Sequence, residues 1–398
     1  MLPKRVGPAP LERDAVRPVA QICNPLYRRF GICKAPECLR PSRQPGAQPN
    51  AIRRYSRLQI CATPNNCASR VLIAALALTI LGSLTSRASQ NPSTNQATVI
   101  IVVGAPGEAE FGTNFLRQAV LWESACQQAH CHEITLGLNP EGQTNDFETL
   151  KQTLASEPKA GPDELWLVLI GHGTFDGKEA RFNLRGPDVS AAELALWLQP
   201  FHRPLAVINT TSSSAPFLNK LSAANRIVIT ATRSGNEQNF TRFGQYLAET
   251  INDPQADLDK DGQVSLLEAF LMASRRTSEF YKTDGRIITE HALLDDSGDG
   301  LGTPADWFRG LRAVKRPKED AQVDGLLARQ FHLIRSPEDQ KLSPDQRAHR
   351  DELERAILQH REKKDRMSEE DYYRELEKLL LDLTHISESN PPTQNGSK

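Results

Sequence analysis

The sequence predicts an α/β fold, a mostly parallel sheet flanked by helices on both faces and followed by a C-terminal helical extension. Three observations predict it. Four runs are rich in apolar and β-branched residues, as in strands covered on both faces: Ala97–Val103, Leu165–Ile170, Leu205–Ile208 and Arg226–Ala231. Amphipathic stretches of helical period separate them, and strand alternating with helix builds parallel sheets. Composition agrees: 39% of residues are hydrophobic and 24% charged, which suits a chain that buries a core.

The elements follow in order. The first strand, 97–103, leads through a Gly-Ala-Pro-Gly turn to a helix over 108–129. That turn lacks a following Gly-Lys-Ser/Thr and is no phosphate loop. A weaker strand spans 133–138 and a helix 146–155. The strand 165–170 runs into Gly171-His172-Gly173. A helix over 191–198 precedes the strand 205–208, which ends in Asn209-Thr210-Thr211-Ser212-Ser213-Ser214. A helix over 216–221 precedes the strand 226–231, followed by Thr232-Arg233-Ser234-Gly235-Asn236-Glu237. Helices over 243–250 and 266–281 complete the domain. Chemistry in such sheets collects beyond the carboxyl ends of the strands, so these strand-end segments are the candidate site.

Flanking segments have their own character. Residues 1–70 are rich in Arg and Pro, nearly free of acids, and show no periodicity; they hold five of the seven cysteines. They read as low complexity outside the mature protein. Arg70, the apolar run Val71–Leu84 and the small residues Ser86 and Ala88 read as a signal peptide over 71–88. The run is shorter than the roughly 20 residues of a membrane span, so no stable span is expected after signal cleavage. The expectation is an exported protein, periplasmic or extracellular, with membrane anchoring as the alternative. Translation starting near residues 70–72 would put this signal at the N-terminus. The net charge of −1 and the 6% aromatic content offer no global electrostatic case or stacking platform for nucleic acid.

The order of the strand-end motifs carries a resemblance. A buried strand ends in Gly171-His172-Gly173. About 40 residues later another ends in Thr211-Ser212-Ser213-Ser214-Ala215, and the next runs through Ile229-Thr230-Ala231-Thr232. Over about 97–310 this resembles the caspase/legumain-like cysteine peptidases, as a bacterial member whose nucleophile cysteine is replaced by serine. The resemblance implies a caspase-like fold with His172 as the catalytic histidine. Ser212 then holds the cysteine's position, with Thr211 and Ser213 as one-residue slips. Gly173 lies at the oxyanion hole, and Arg233, Ser234 and Glu237 in the loop that shapes the substrate pocket. No cysteine follows Cys131, so no thiolate can come from these segments. A serine hydroxyl is far less acidic than a thiol and needs a base in direct contact. Two readings stay open. One is a catalytically impaired pseudopeptidase that keeps a cleft for a peptide or protein ligand. The other is an active endopeptidase using Ser212 with His172 as base.

Two acid-rich segments suggest Ca²⁺. Residues 257–268 match an EF-hand loop, with Asp257, Asp259 and Asp261 at positions 1, 3 and 5, Gly262 at 6, Gln263 at 7 and Glu268 at 12. Residues 295–306 repeat part of it with Asp295, Ser297 and Asp299. Acids capping a helix N-terminus would look alike. Cys126 and Cys131 lie near His130 and His132 in a spacing that matches no standard zinc finger; a loop-closing disulfide is the alternative. The charged extension 312–390 holds Leu353, Ile357 and Leu358, then Leu376, Leu379, Leu380, Leu383 and Ile386 at helical spacing. Two or three amphipathic helices, with a protein contact through 346–387, are expected.

Overall fold

A computed structural model describes residues 96–138, 145–316, 318 and 322–388. The signal peptide over 71–88, the low-complexity region 1–70 and the tail beyond 388 lie outside these residues.

The elements are β1 (Thr98–Val103), α1 (Ala109–Ala129), β2 (His132–Leu136), α2 (Asp146–Ser156) and β3 (Leu165–Ile170). Next come the short strands β4 (Gly173–Phe175), β5 (Ala180–Phe182) and β6 (Val189–Ser190), then α3 (Ala191–Leu198), β7 (Leu205–Asn209), α4 (Ala215–Leu221) and β8 (Arg226–Thr230). The chain continues through α5 (Phe243–Thr250), α6 (Leu266–Thr283), β9 (Leu293–Asp295), β10 (Thr303–Pro304), β11 (Phe308–Arg309) and β12 (Arg312–Ala313). It closes with α7 (Pro344–Arg361) and α8 (Glu369–Glu388).

Seven strands form the main sheet in the order β10-β9-β8-β7-β3-β1-β2. The five from β2 to β8 are parallel, and β9 and β10 add antiparallel. This is the mostly parallel α/β architecture expected. The pleat divides the core. Ile101, Val103, Trp166, Val168, Ile208 and Ile229 point to one face and pack with α1, α5 and α6. Ile100, Val102, Leu167, Leu169, Val207 and Val228 point to the other and pack with α2, α3 and α4. Each such side chain contributes about 1.5–3 kcal/mol by leaving water, which is why both faces had to be apolar.

Differences from the sequence reading are local. The weak strand expected at 133–138 runs His132–Leu136 and stops before Gly137, whose φ is +86°. The helix expected from Glu108 begins at Ala109, with Glu108 as an extended N-cap. Helix α6 runs two residues past Tyr281. The three-stranded sheet β4-β5-β6 was not anticipated. Its strands have two or three residues, too short for periodicity to register. The segment before α7 is built into the core: Phe331 O accepts the Leu266 N–H at 2.8 Å, and the Phe331 ring lies 5.7 Å from Trp166. Helices α7 and α8 pack on one another, giving the helical extension. Among the described residues, no helix is long and apolar enough to cross a membrane.

Candidate active site

Three parallel strands deliver the predicted motifs to one end of the sheet. β3 ends at Ile170 and hands His172 and Gly173 into β4, while β7 ends at Asn209 and hands on the hydroxyl run. The segment Thr211–Ser214 is buried, with Ser212 only 4% exposed. Gly173 must be glycine: a Cβ there would collide with the Ser212 carbonyl and Thr211 Oγ1. That close approach brings the Gly-His-Gly turn and the serine run together.

The hydrogen bonds within this junction decide its chemistry. Ser212 Oγ donates to Gly173 O at 2.9 Å and accepts from Gly173 N–H at 3.2 Å. The hydroxyl and the expected oxyanion donor therefore satisfy each other. His172 Nε2 lies 3.2 Å from the Pro106 carbonyl. A carbonyl only accepts, so Nε2 carries the hydrogen and is not available as a base at that atom. The imidazole packs edge-on against Phe111 at 4.7 Å and Phe115 at 5.1 Å, both on α1, and against Phe240 at 6.5 Å. The structure thus brings His172, Gly173 and Ser212 to one place, with the histidine and serine each bonded elsewhere.

Thr211 Oγ1 is bound to Asn209 Oδ1 at 2.7 Å, and Asn209 Oδ1 also accepts the Thr211 N–H. Ser213 sits in the left-handed region at φ +53°, an uncommon conformation for a residue with a side chain. Its N–H donates to Glu237 O at 2.8 Å. Among the described residues, the buried atoms Asn209 Nδ2 and Ser213 Oγ have no hydrogen-bond partner.

The predicted pocket loop covers this floor. Gly235 packs against the Phe175 ring, and Asn236 N–H donates to Ser234 Oγ at 3.1 Å. Glu237 is the loop's hub. Its carboxylate accepts the Arg233 N–H at 2.9 Å and lies 3.4 Å from Arg233 Nε. It also meets His291 Nδ1 at 2.6 Å. His291 was missed in the sequence because it lies in no recognisable motif and 54 residues from its acid. Its position is set by the neighbouring Glu290, which is 3% exposed. The Glu290 carboxylate accepts the N–H groups of Arg242 and Phe243 at the start of α5, and the Tyr281 hydroxyl. Burial pushes the Glu290 carboxyl above its ordinary range, against those hydrogen bonds.

The two acidic loops lie away from this cleft in sequence and differ from each other. Carboxylate oxygens of Asp257, Asp259 and Asp261 lie within 4.8 Å of one another. Gly262, at φ +88°, makes the sharp turn that gathers them. Glu268 is oriented otherwise. One of its oxygens accepts from Leu258 N–H at 2.7 Å, and the other accepts from the Ser265 N–H and hydroxyl in a capping box. Arg329 lies 2.9 Å from Asp259 Oδ2, and Gln263 Oε1 accepts the Ser336 N–H. Three of the expected loop ligands therefore converge; the position-7 ligand would be the Gln263 backbone carbonyl, and Glu268, though bonded in the cap, lines the same cavity as Asp259 and Asp261. A cavity of about 250 Å³ lies beside this loop, with Arg329 and Glu354 also in its wall.

In the second loop Ser297 Oγ lies 3.4 Å from Asp295 Oδ1, and the turn bonds repeat those of the first, where Asp257 accepts from Lys260 and Gly262 N–H and Asp261 from Gln263 N–H. Asp295 accepts from Gly298 and Gly300 N–H, and Asp299 from Leu301 N–H. The segment is the turn between β9 and β10, with no flanking helices. Cys126 and Cys131 are both free thiols.

No family profile matches the chain, and no curated protein matches it. Solved structures of similar fold include the Drosophila initiator caspase Dronc, at 14% identity over 52% of this chain and 82% of that one, with a TM-score of 0.35. Another is caspase-1 from Spodoptera frugiperda, at 10% identity over 50% and 85%, with a TM-score of 0.33. A protein from Geobacter sulfurreducens is similar at 10% identity over 46% and 89%, with a TM-score of 0.32. The chain is similar to these proteins in fold, and at such identities the likeness extends no further.

Proposed function

We propose that this chain is a caspase/legumain-like domain whose strand-end cleft holds an extended peptide segment of a protein ligand without cleaving it. The observation that carries this reading is the reciprocal clasp between the Ser212 hydroxyl and the Gly173 backbone. Acyl transfer needs a hydroxyl hydrogen-bonded to a base and a free N–H to receive the oxyanion. Here the hydroxyl and the N–H are bonded to each other, and the one Ser212 hydroxyl hydrogen goes to Gly173 O rather than to the His172 ring, whose Nε2–H donates to Pro106 O and leaves Nδ1 as its acceptor.

The test is a fluorogenic peptide library assayed on the full chain, with binding read in parallel by fluorescence polarisation of the same peptides. The expected result is saturable binding with no turnover. Turnover abolished by both Ser212→Ala and His172→Ala would establish the alternative, a serine endopeptidase with His172 as base. The same reading includes export through residues 71–88, with the mature chain expected to begin near Ser89 on N-terminal sequencing. It also includes Ca²⁺ at Asp257, Asp259 and Asp261, supported by their convergence, with Arg329 leaving Asp259 as the cation arrives.

A further inference from the structure

Helix α1 ends in a pair of backbone bonds that define a Schellman motif. His130 is left-handed at φ 51° and ψ 33°. Its N–H donates to Gln127 O at 3.3 Å, and the Cys131 N–H donates to Cys126 O at 3.2 Å. This geometry turns the chain back over the last helical turn and sets the side chains of its first and sixth residues against each other. In most helices that contact is apolar. Here both positions are cysteines, joined by the Cys131 N–H to Cys126 O bond at 3.2 Å, and each thiol shifts the other's acidity.

The two thiols are unlike. Cys126 is 1% exposed and packs in the core cluster with Trp122 and Val99. Cys131 is half-buried at the start of β2. The thiol contact raises Cys126 and lowers Cys131, and burial adds to the rise at Cys126. The more accessible sulfur is thus also the one favoured as thiolate, and thiolate is the reacting species in disulfide exchange. The pair has no part in the strand-end cleft. It is joined to it through α1, whose other end carries Phe111 and Phe115 against His172.

We propose that Cys126 and Cys131 form a thiol–disulfide site, in which Cys131 reacts first and Cys126 closes the bond across the helix cap. The co-reactant is a small-molecule disulfide. The Cys131 thiolate attacks one of its sulfurs, forming a mixed disulfide and releasing one thiol. Cys126, on losing its proton, attacks the Cys131 sulfur and releases the second thiol. Two protein thiols are oxidised by two electrons, and one small disulfide is reduced to two thiols. The cap already folds the Cys131 backbone onto that of Cys126 at 3.2 Å, so the bond is expected to form with little backbone movement.

The experiment equilibrates the full-length protein in glutathione buffers of graded oxidised-to-reduced ratio. Free thiols are alkylated in acid, and tryptic peptides are weighed. The fragment from Gln118 to Lys151 contains Cys126 and Cys131 and no other cysteine. In oxidising buffer it is expected unalkylated and lighter by two hydrogens, and the Tm of the intact protein is expected to rise by about 4 °C. Cys131→Ser should abolish both changes while leaving the reduced Tm near wild type. Cys126→Ala should trap glutathione on Cys131. A fragment still doubly alkylated in fully oxidised glutathione would overturn the proposal. So would pairing of either sulfur with a cysteine from residues 1–70. If Cys126→Ala fails to fold, the Cys131→Ser arm and the wild-type fragment still decide.

Discussion

The two acidic loops share a composition, part of a spacing and the turn bonds of their first acid, yet the acids around those turns are used differently. In 257–268 the first three acids converge in front of α6, and both Asp259 and Asp261 are exposed. In 295–306 the acids are structural. Asp295 is fully buried. Its neighbour Asp296 accepts three backbone N–H groups, from Gly325, Leu327 and Ala328. Asp324 reaches in from a distant segment to accept the N–H groups of Asp296 and Ser297 and the Thr303 hydroxyl. The first loop spends its fourth acid, Glu268, on a helix cap. The second spends its acids on tying residues 324–328 to the sheet edge. Both loops satisfy their first acid with two backbone N–H groups; the difference is that Asp296 and Asp324 add buried bonds to a distant segment, whereas Asp259 and Asp261 stay exposed and close enough to repel one another.

The sharpest way to break this contrast is mutation. Asp296→Ala leaves three N–H groups without their acceptor at a buried site, and a loss of about 3 kcal/mol or more is expected in urea unfolding. Asp259→Ala, at an exposed ion pair, should cost under about 1 kcal/mol. Equal costs would erase the distinction between the loops.

Titration sharpens it next. Burial pushes Asp296 up to about 6 and, with Asp296 beside it, Asp324 up to about 7. Both folded values stand above the ordinary carboxylate value, so the folded protein holds more protons than the unfolded chain between about pH 4 and pH 7. The stability from this pair is present at the acid end of that window and is lost as pH rises through it. Comparing wild type with Asp324→Asn across the window isolates it: the slope should be shallower in the variant, and an identical slope would remove the pair from the account.

The smallest effect belongs to Ca²⁺ at the first loop. At ten times its dissociation constant a ligand adds about 1.4 kcal/mol, so Tm should rise by a few degrees in Ca²⁺ and not in Asp257→Asn. An unchanged Tm in millimolar Ca²⁺ would leave loop 257–268 as the N-terminal cap of α6 alone.

Much of the sheet was legible because β-strands covered on both faces must be apolar throughout. Trp166, Val168 and Ile170 face one layer and Leu165, Leu167 and Leu169 the other, so the run 165–170 announces itself. The meeting of Gly173 with the serine run was also legible, since adjacent parallel strands bring their carboxyl ends together. The partner of Glu237 was not. His291 arrives from the segment before β9, and nothing local in either stretch encodes that contact. Asp324 escaped notice in the same way, because its carboxylate matters only where β9 and β10 pass beneath it.

The amino-acid order alone therefore settled the parallel strands of the main sheet and the helices between them, that their carboxyl ends carry a histidine and a serine run, and that no thiol lies among them. These follow from solvent partition and from the two periods of the backbone, which are local properties. Folding in three dimensions decided the state of those groups: Ser212 clasped to Gly173, His172 donating to Pro106, Glu237 joined to His291, and Cys126 set against Cys131. Each depends on which donors and acceptors packing leaves within about 3 Å, and that choice is made by residues far apart along the chain.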